Sequence, residues 1–141
     1  MARIQPFSMV PRPLRTFMRP LVTSAQGMSR QQAFLDVISA NLANAEVTRT
    51  PEGGPYRRQV ATAGRDPVTG QVSMQVTEDA DKGRLVYDPG HPDANAEGFV
   101  EYPNVDVTHE LVDLMIVRRV HEANATVFQA AKSMLKRALE I

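Results

Sequence analysis

The last thirty-eight residues of this chain, 104–141, contain neither proline nor glycine. Nothing in that window forces the backbone out of a helix. Its apolar residues are periodic: Val117, Asn124, Ala131 and Ala138 recur every seven positions, and Val120, Val127, Met134 and Ile141 follow three later. That is an a/d heptad pattern over three and a half repeats. Leu114, His121, Phe128 and Leu135 form an adjoining column. The apolar stripe is therefore wider than a two-helix seam, and predicts contact with more than one neighbour. A helix over 108–141 is about 50 Å long at about 1.5 Å per residue.

A second proline-free window, 21–50, repeats the logic with Leu21, Met28, Leu35 and Leu42 at intervals of seven, flanked by Ala25, Ile38 and Ala45. Two amphipathic helices at opposite ends of a chain pair antiparallel if the middle turns the chain around. The expected fold is α+β, mainly α: long terminal helices forming an antiparallel coiled-coil hairpin, with a small β-rich insert between them. The expected divisions are an N-terminal arm over 1–20, a helix over 21–47, the insert over 48–107 and a helix over 108–141. Within the insert, Gln71 to Thr77 places Val72, Met74 and Val76 on one face, and Arg84–Tyr87 and Phe99–Tyr102 read as further strands. The Pro- and Gly-rich stretches at 51–55, 66–70 and 88–92 supply turns between them.

The net charge is zero, with 16 basic and 16 acidic residues, but it is unevenly spread. Residues 46–110 hold six basic and twelve acidic groups, while both ends are neutral or basic. The arm carries Arg3, Arg12, Arg15 and Arg19 with no acidic residue, and its prolines are expected to prevent a basic helix. They also interrupt any apolar core of a cleavable leader. A solvated arm is the expected reading, with ordering on a partner surface next and binding to nucleic acid or anionic lipid behind both; no nucleic-acid partner is expected. No apolar run approaches the roughly 18 residues of a membrane-spanning helix.

Catalytic chemistry finds few candidates. The absence of cysteine removes disulfides, thiolate metal sites and thiol nucleophiles together. The three histidines, His91, His109 and His121, do not pair at helical spacing. His91 with Asp88 and Asp93 suits a turn held by backbone hydrogen bonds better than a metal or acid–base cluster. The acidic run Glu78, Asp79 and Asp81 lacks calcium-loop spacing and reads as a solvated turn. No cofactor, metal or catalytic residue is expected, and the chain is not expected to be an enzyme.

The informative polar residues are asparagines. Asn124 at an a position either finds a partner amide or carbonyl and fixes register, or sits on a stripe rotated toward solvent. Asn41 and Asn44 flank Leu42 at a helix end, where asparagine caps the helix or bonds across to a neighbour.

Ser39 to Ala45 (Ser-Ala-Asn-Leu-Ala-Asn-Ala), with Gly27 upstream and Thr48 downstream, resembles the N-terminal signature of the flagellar rod and hook axial proteins. Three further stretches are similar to proximal-rod members: Glu52 to Arg58, Val86 to Pro92, and Gly98 through Tyr102 to Val107. So are Glu122-Ala123-Asn124 and Lys132 to Leu135, and the likeness covers about 22–141. Position 121 is His where those members usually carry Tyr, and the basic arm differs from their short apolar start. The resemblance implies a structural rod subunit of the bacterial flagellar basal body, exported through the flagellar type III apparatus without a cleaved signal. It further implies polymerisation in the periplasm with its own copies and with the rod proteins FlgB, FlgF, FlgG and FliE. A helical-hairpin adaptor and another axial (rod or hook) protein are the alternatives. The expected subunit contacts are Leu21, Met28, Leu35, Ile38, Asn41, Leu42 and Asn44 on the first helix. On the second they are Val117, Val120, Asn124, Val127, Phe128, Ala131, Met134 and Leu135.

Overall fold

Two helices of 32 and 33 residues are the largest elements in the computed structural model, which describes residues 12–65, 67 and 72–140. Helix α2 spans Val107–Leu139. Asp106 starts it, its carboxylate accepting the backbone N–H groups of Thr108 at 2.8 Å and His109 at 3.2 Å. The His109 N–H, opposed by slight desolvation and helped by the Thr108 N–H, holds the Asp106 pKa below its usual value. Glu110 lies in the first turn and Lys136 and Arg137 in the last, the arrangement a helix dipole favours.

Helix α1 spans Arg12–Ala43 and contains Pro20. The expected division at residue 20 is thus corrected: residues 12–20 continue the helix, and a basic helix forms despite the prolines. Pro13 falls in the first turn, where its missing N–H is no loss, and Pro20 forfeits one hydrogen bond that the rest of the helix outweighs. Residues 1–11 lie outside the described part of the chain.

The helices pack against one another in opposite directions. Asn41 meets Glu110, and Gly27 lies against Asn124. Fourteen residues back along α1 match fourteen forward along α2, so the register holds over two heptads, about 21 Å of helix. A Cβ on Gly27 would stand 3.0 Å from Asn124 Nδ2, and that closeness explains why this position is glycine. The least exposed line on α2 runs Glu110, Leu114, Val117, His121, Asn124, Phe128, Ala131, Leu135, in alternating steps of four and three. The column Val120, Val127 and Met134, expected to share the seam, instead faces outward at 42%, 51% and 70% exposure. Val117 has apolar companions at both −3 and +3, so spacing alone supports either choice. Ile141, the end of that column, lies outside the described residues.

On α1 the most buried positions are Ser24, Gly27, Val37, Ile38 and Asn41, with Leu21, Met28, Leu35 and Leu42 half-buried beside them. Small and polar side chains at Ser24, Gly27 and Gln31 leave room for the larger groups of α2. Width on one helix is met by narrowness on the other.

The insert contains two antiparallel pairs. Strand β1 (Gln59–Arg65) pairs with β2 (Val72–Glu78), Gln59 opposite Glu78 and Arg65 opposite Val72. Strand β3 (Leu85–Tyr87) pairs with β4 (Phe99–Glu101). Strand β1 was not expected, because Ala61, Thr62, Ala63 and Gly64 carry no alternation of large apolar groups. The anticipated apolar face of β2 is not packed: Met74 is half-buried, and Val72 and Val76 are exposed. Val100 is the insert's one fully buried apolar side chain among the described residues. Nearby, the Tyr87 ring stands edge-on to Phe99 with centroids 5.2 Å apart.

Gly98 returns the chain into β4 with φ +83°, and its carbonyl accepts the Asp88 N–H at 2.9 Å. A Cβ there would lie 2.9 Å from the Tyr87 ring and 3.2 Å from Pro89. Gly98→Ala therefore adds a close contact to a left-handed backbone that costs about 1–2 kcal/mol for an L residue. Its thermal unfolding midpoint, followed by circular dichroism, is expected below that of the parent chain.

Candidate assembly interface

Asn41 is fully buried at the end of α1, and every polar atom of its amide is used. Its Nδ2 donates to the Gln59 carbonyl at 2.9 Å and to Glu110 Oε2 at 3.3 Å. Its Oδ1 accepts the Gln59 N–H at 2.8 Å and the Tyr56 hydroxyl at 3.0 Å. One side chain thus ties α1 to β1 and to α2. Asn44, three residues on, stays local, its Nδ2 donating to the Ala40 carbonyl at 2.8 Å. Of the two roles open to these asparagines, Asn41 bonds across and Asn44 caps.

Glu110 is only 1% exposed, and its charge is answered by Arg58, whose Nε donates to Oε1 at 2.6 Å. Arg58 Nη1 also reaches Asp79 at 3.5 Å, and the Arg58 backbone N–H donates to Asn104 Oδ1 at 2.8 Å. Burial opposes the Arg58 charge, but Glu110 and then Asp79 outweigh it, so the guanidinium pKa is raised. Tyr56 is pushed up as well, first by desolvation and then by the negative charges of Glu110 and Glu78. Asp79 therefore does more than line a solvated turn: it extends this network to the end of β2.

Glu110 and Gln59 were not singled out in the sequence, and Tyr56 and Arg58 entered only within the Glu52 to Arg58 likeness, yet all four hold the Asn41 node together. A signal for Glu110 was present, since it stands seven residues before Val117 in the column of Asn124 and must face the same way. Asn124 itself donates to Gln31 Oε1 at 3.1 Å, so a partner amide on the other helix answers it. His121, one turn away, has a buried Nδ1 without a protein partner.

Of the expected contact residues, the structure brings Ile38, Asn41, Val117, Asn124, Phe128, Ala131 and Leu135 onto buried or half-buried positions of the helical pair. Leu21, Met28, Leu35, Leu42 and Asn44 flank it, half-buried. Val120, Val127 and Met134 belong to a separate outer line with Val112 and Ile116, all exposed. At about 100° per residue these five lie within about 80° of one another, about 100° round the helix from the inward line. Ile116 also joins Phe34, Ile38, Val60 and Val117 in lining a cleft beside the Asn41 node.

The 88–93 turn is held by its own backbone. Asp88 Oδ1 accepts the Gly90 N–H at 3.2 Å, and His91 Nδ1 accepts the Asp93 N–H at 3.1 Å. Asp93 takes the Thr48 hydroxyl at 2.8 Å and Arg49 at 3.4 Å. Among the described residues, no three His, Asp or Glu side chains converge as metal ligands would.

Known proteins match this sequence along most of its length. The family described as "Flagella basal body rod protein" matches residues 21–49, and "Flagellar basal body rod FlgEFG protein C-terminal" matches 96–141. The flagellar basal-body rod protein FlgC of Bacillus subtilis is 39% identical, over 89% of this chain and 98% of its own length. FlgC of Borreliella burgdorferi is 39% identical and that of Salmonella typhimurium 36%, each over 84% of this chain and 92% of the relative. The chain belongs to the FlgC family of flagellar basal-body rod proteins. In this FlgC-family chain the two matched segments hold Asn41 and Glu110, one in each, while Tyr56, Arg58 and Gln59 come from the stretch between them.

Asn41→Asp keeps the shape of the side chain, removes both donated hydrogen bonds and sets a second carboxylate against Glu110. A loss of about 3–5 kcal/mol is expected at neutral pH, measured by urea unfolding. The raised Tyr56 pKa means that the folded state favours the neutral phenol. Its contribution is complete below the ordinary tyrosine value of 10.0 and is lost as pH rises through the raised one. Denaturant midpoints are therefore expected to fall above about pH 10, and to fall less steeply in Tyr56→Phe.

Proposed function

We propose that this chain, as a rod subunit of the flagellar basal body, packs in the proximal rod through the outer face of α2 and helps carry motor torque. The observation that carries this is the exposed line Val112, Ile116, Val120, Val127 and Met134 beside an inward line already occupied by α1. A second apolar face along one helix calls for a second helical neighbour. Burying such side chains is worth about 25 cal/mol per Å² of apolar surface, so repetition across several contacts makes a stiff tube from weak single joints. A contact between different faces that does not close on itself propagates as a helix. The two terminal helices then form an antiparallel coiled-coil hairpin in the inner layer, with the acidic insert outward.

The partners on this reading are further copies and the related rod proteins FlgB, FlgF, FlgG and FliE. Delivery to the periplasmic rod runs through the flagellar type III export apparatus, without a cleaved signal. The role on this reading is architectural and non-enzymatic, in keeping with relatives that are flagellar rod proteins.

Val127→Asp tests the face directly. Because Val127 is exposed in the hairpin, the variant is expected to keep the parent's circular dichroism and to be exported. In a strain lacking its own copy, swimming is expected to be lost and rods to stop short. Full motility with Val127→Asp would remove this face from the assembly.

A further inference from the structure

Strand β2 is an edge: among the described residues its one strand neighbour is β1. The pairing also shows which backbone groups that neighbour uses. Gln59 turns its N–H and carbonyl to Asn41, while the Arg58 carbonyl accepts the Asp79 N–H at 2.8 Å. Alternation along an antiparallel ladder then assigns Ser73, Gln75 and Thr77 to β1, and turns the N–H and carbonyl groups of Val72, Met74 and Val76 outward. Among the described residues, nothing hydrogen-bonds to that row.

The side chains of the same three residues form the apolar face that the fold leaves open, with Val72 43% and Val76 51% exposed. Edge strands are normally blunted by a charge, a proline or a bulge. From Val72 to Thr77 there is no charge, proline or glycine. A two-stranded ribbon is marginal by itself, and strands added to its edge stabilise it.

The strand matches itself. Paired antiparallel about Met74, two copies set Val72 opposite Val76 and Met74 opposite Met74, so each outward donor meets an acceptor and the two apolar faces join on one side. Charge agrees with that register. Arg65 and Glu78 lie on this same side, both exposed and, among the described residues, in no ion pair. Within one chain they stand at opposite ends of the hairpin, about 20 Å apart at about 3.4 Å per residue. Across the two-fold axis Arg65 of one copy comes about 12 Å from Glu78 of the other, Cα to Cα, a span that their side chains close.

We propose that two copies of this chain form a closed dimer through β2, joining their hairpins into one four-stranded sheet with an Arg65–Glu78 ion pair at each end of the shared apolar face. This surface is separate from the outer line of α2. A contact of β2 with β2 is its own complement and stops at two, so it is not the repeating joint of a rod and is independent of the rod reading.

Because the chain has no cysteine, single substitutions report the register. Met74→Cys puts two thiols on the two-fold axis with Cα atoms about 5.5 Å apart, within disulfide range. Val76→Cys, on the same edge and face, leaves them about 14 Å apart. In the full-length chain under air oxidation, Met74→Cys is expected to give covalent dimer at least about tenfold faster than Val76→Cys. Val76→Cys mixed with Val72→Cys is expected to give the crossed dimer. Sedimentation equilibrium reads the charges: Arg65→Glu and Glu78→Arg are each expected to weaken the dimer at least about threefold, and the two combined in one chain to restore it. Met74→Lys sets two ammonium groups face to face, and is expected to weaken the dimer at least about tenfold while keeping the parent's circular dichroism. Equal oxidation rates for Met74→Cys and Val76→Cys, no crossed product, or a dimer that Met74→Lys leaves intact overturns the β2 contact.

Discussion

Everything in this molecule is arranged around one buried negative charge. A carboxylate taken out of water costs several kcal/mol unless its oxygens are answered. Glu110 is answered twice, by Arg58 from the insert and by Asn41 from α1. Because the donors come from separate parts of the chain, the ion cannot be satisfied unless α1, α2 and β1 are all in place. The hydrophobic core is small by comparison, with Val37, Ile38, Ala45 and Val100 its buried apolar members among the described residues. Apolar burial brings the helices together, and the polar node decides how the insert is held against them.

The second polar contact of the pair works on register. Asn124 and Gln31 bond amide to amide over the flat surface of Gly27, two heptads from the Glu110 node. Sliding one helix by a heptad carries Asn124 to the apolar neighbourhood of Phe34 and leaves its amide unanswered, a desolvation cost that apolar contacts do not repay. The exposed outer line on α2 has no such lock, which suits a surface whose partner arrives from another molecule.

Much of this was legible in the chain itself. Proline-free windows and sevenfold columns gave both helices, and the antiparallel arrangement followed from their places at the two ends. The choice between Leu114–His121–Phe128 and Val120–Val127–Met134 as the inward column was not legible, because both keep the heptad spacing from Val117. What decides it is the small-residue face of α1, which a search for leucines overlooks: Ser24, Gly27 and Gln31 look like interruptions until their partners are known. Strand β1 was hidden for a related reason. Its Ala-Thr-Ala-Gly run gains its conformation from pairing with β2 and from the Asn41 bonds at Gln59, both distant in sequence. Arg12 to Pro20 shows the converse, a local rule about proline yielding to a helix that continues on either side.

Pro20 leaves one carbonyl of α1 without its usual donor, a single missing rung some eight residues from the start of a 32-residue ladder. The turns ahead of it are coupled to the rest by one fewer bond than any other stretch of the helix. Unwinding that begins at the amino end meets a natural stopping place there, short of Ser24 and Gly27. The leading turns are thus free to reshape against a neighbour while the polar lock behind them stays shut.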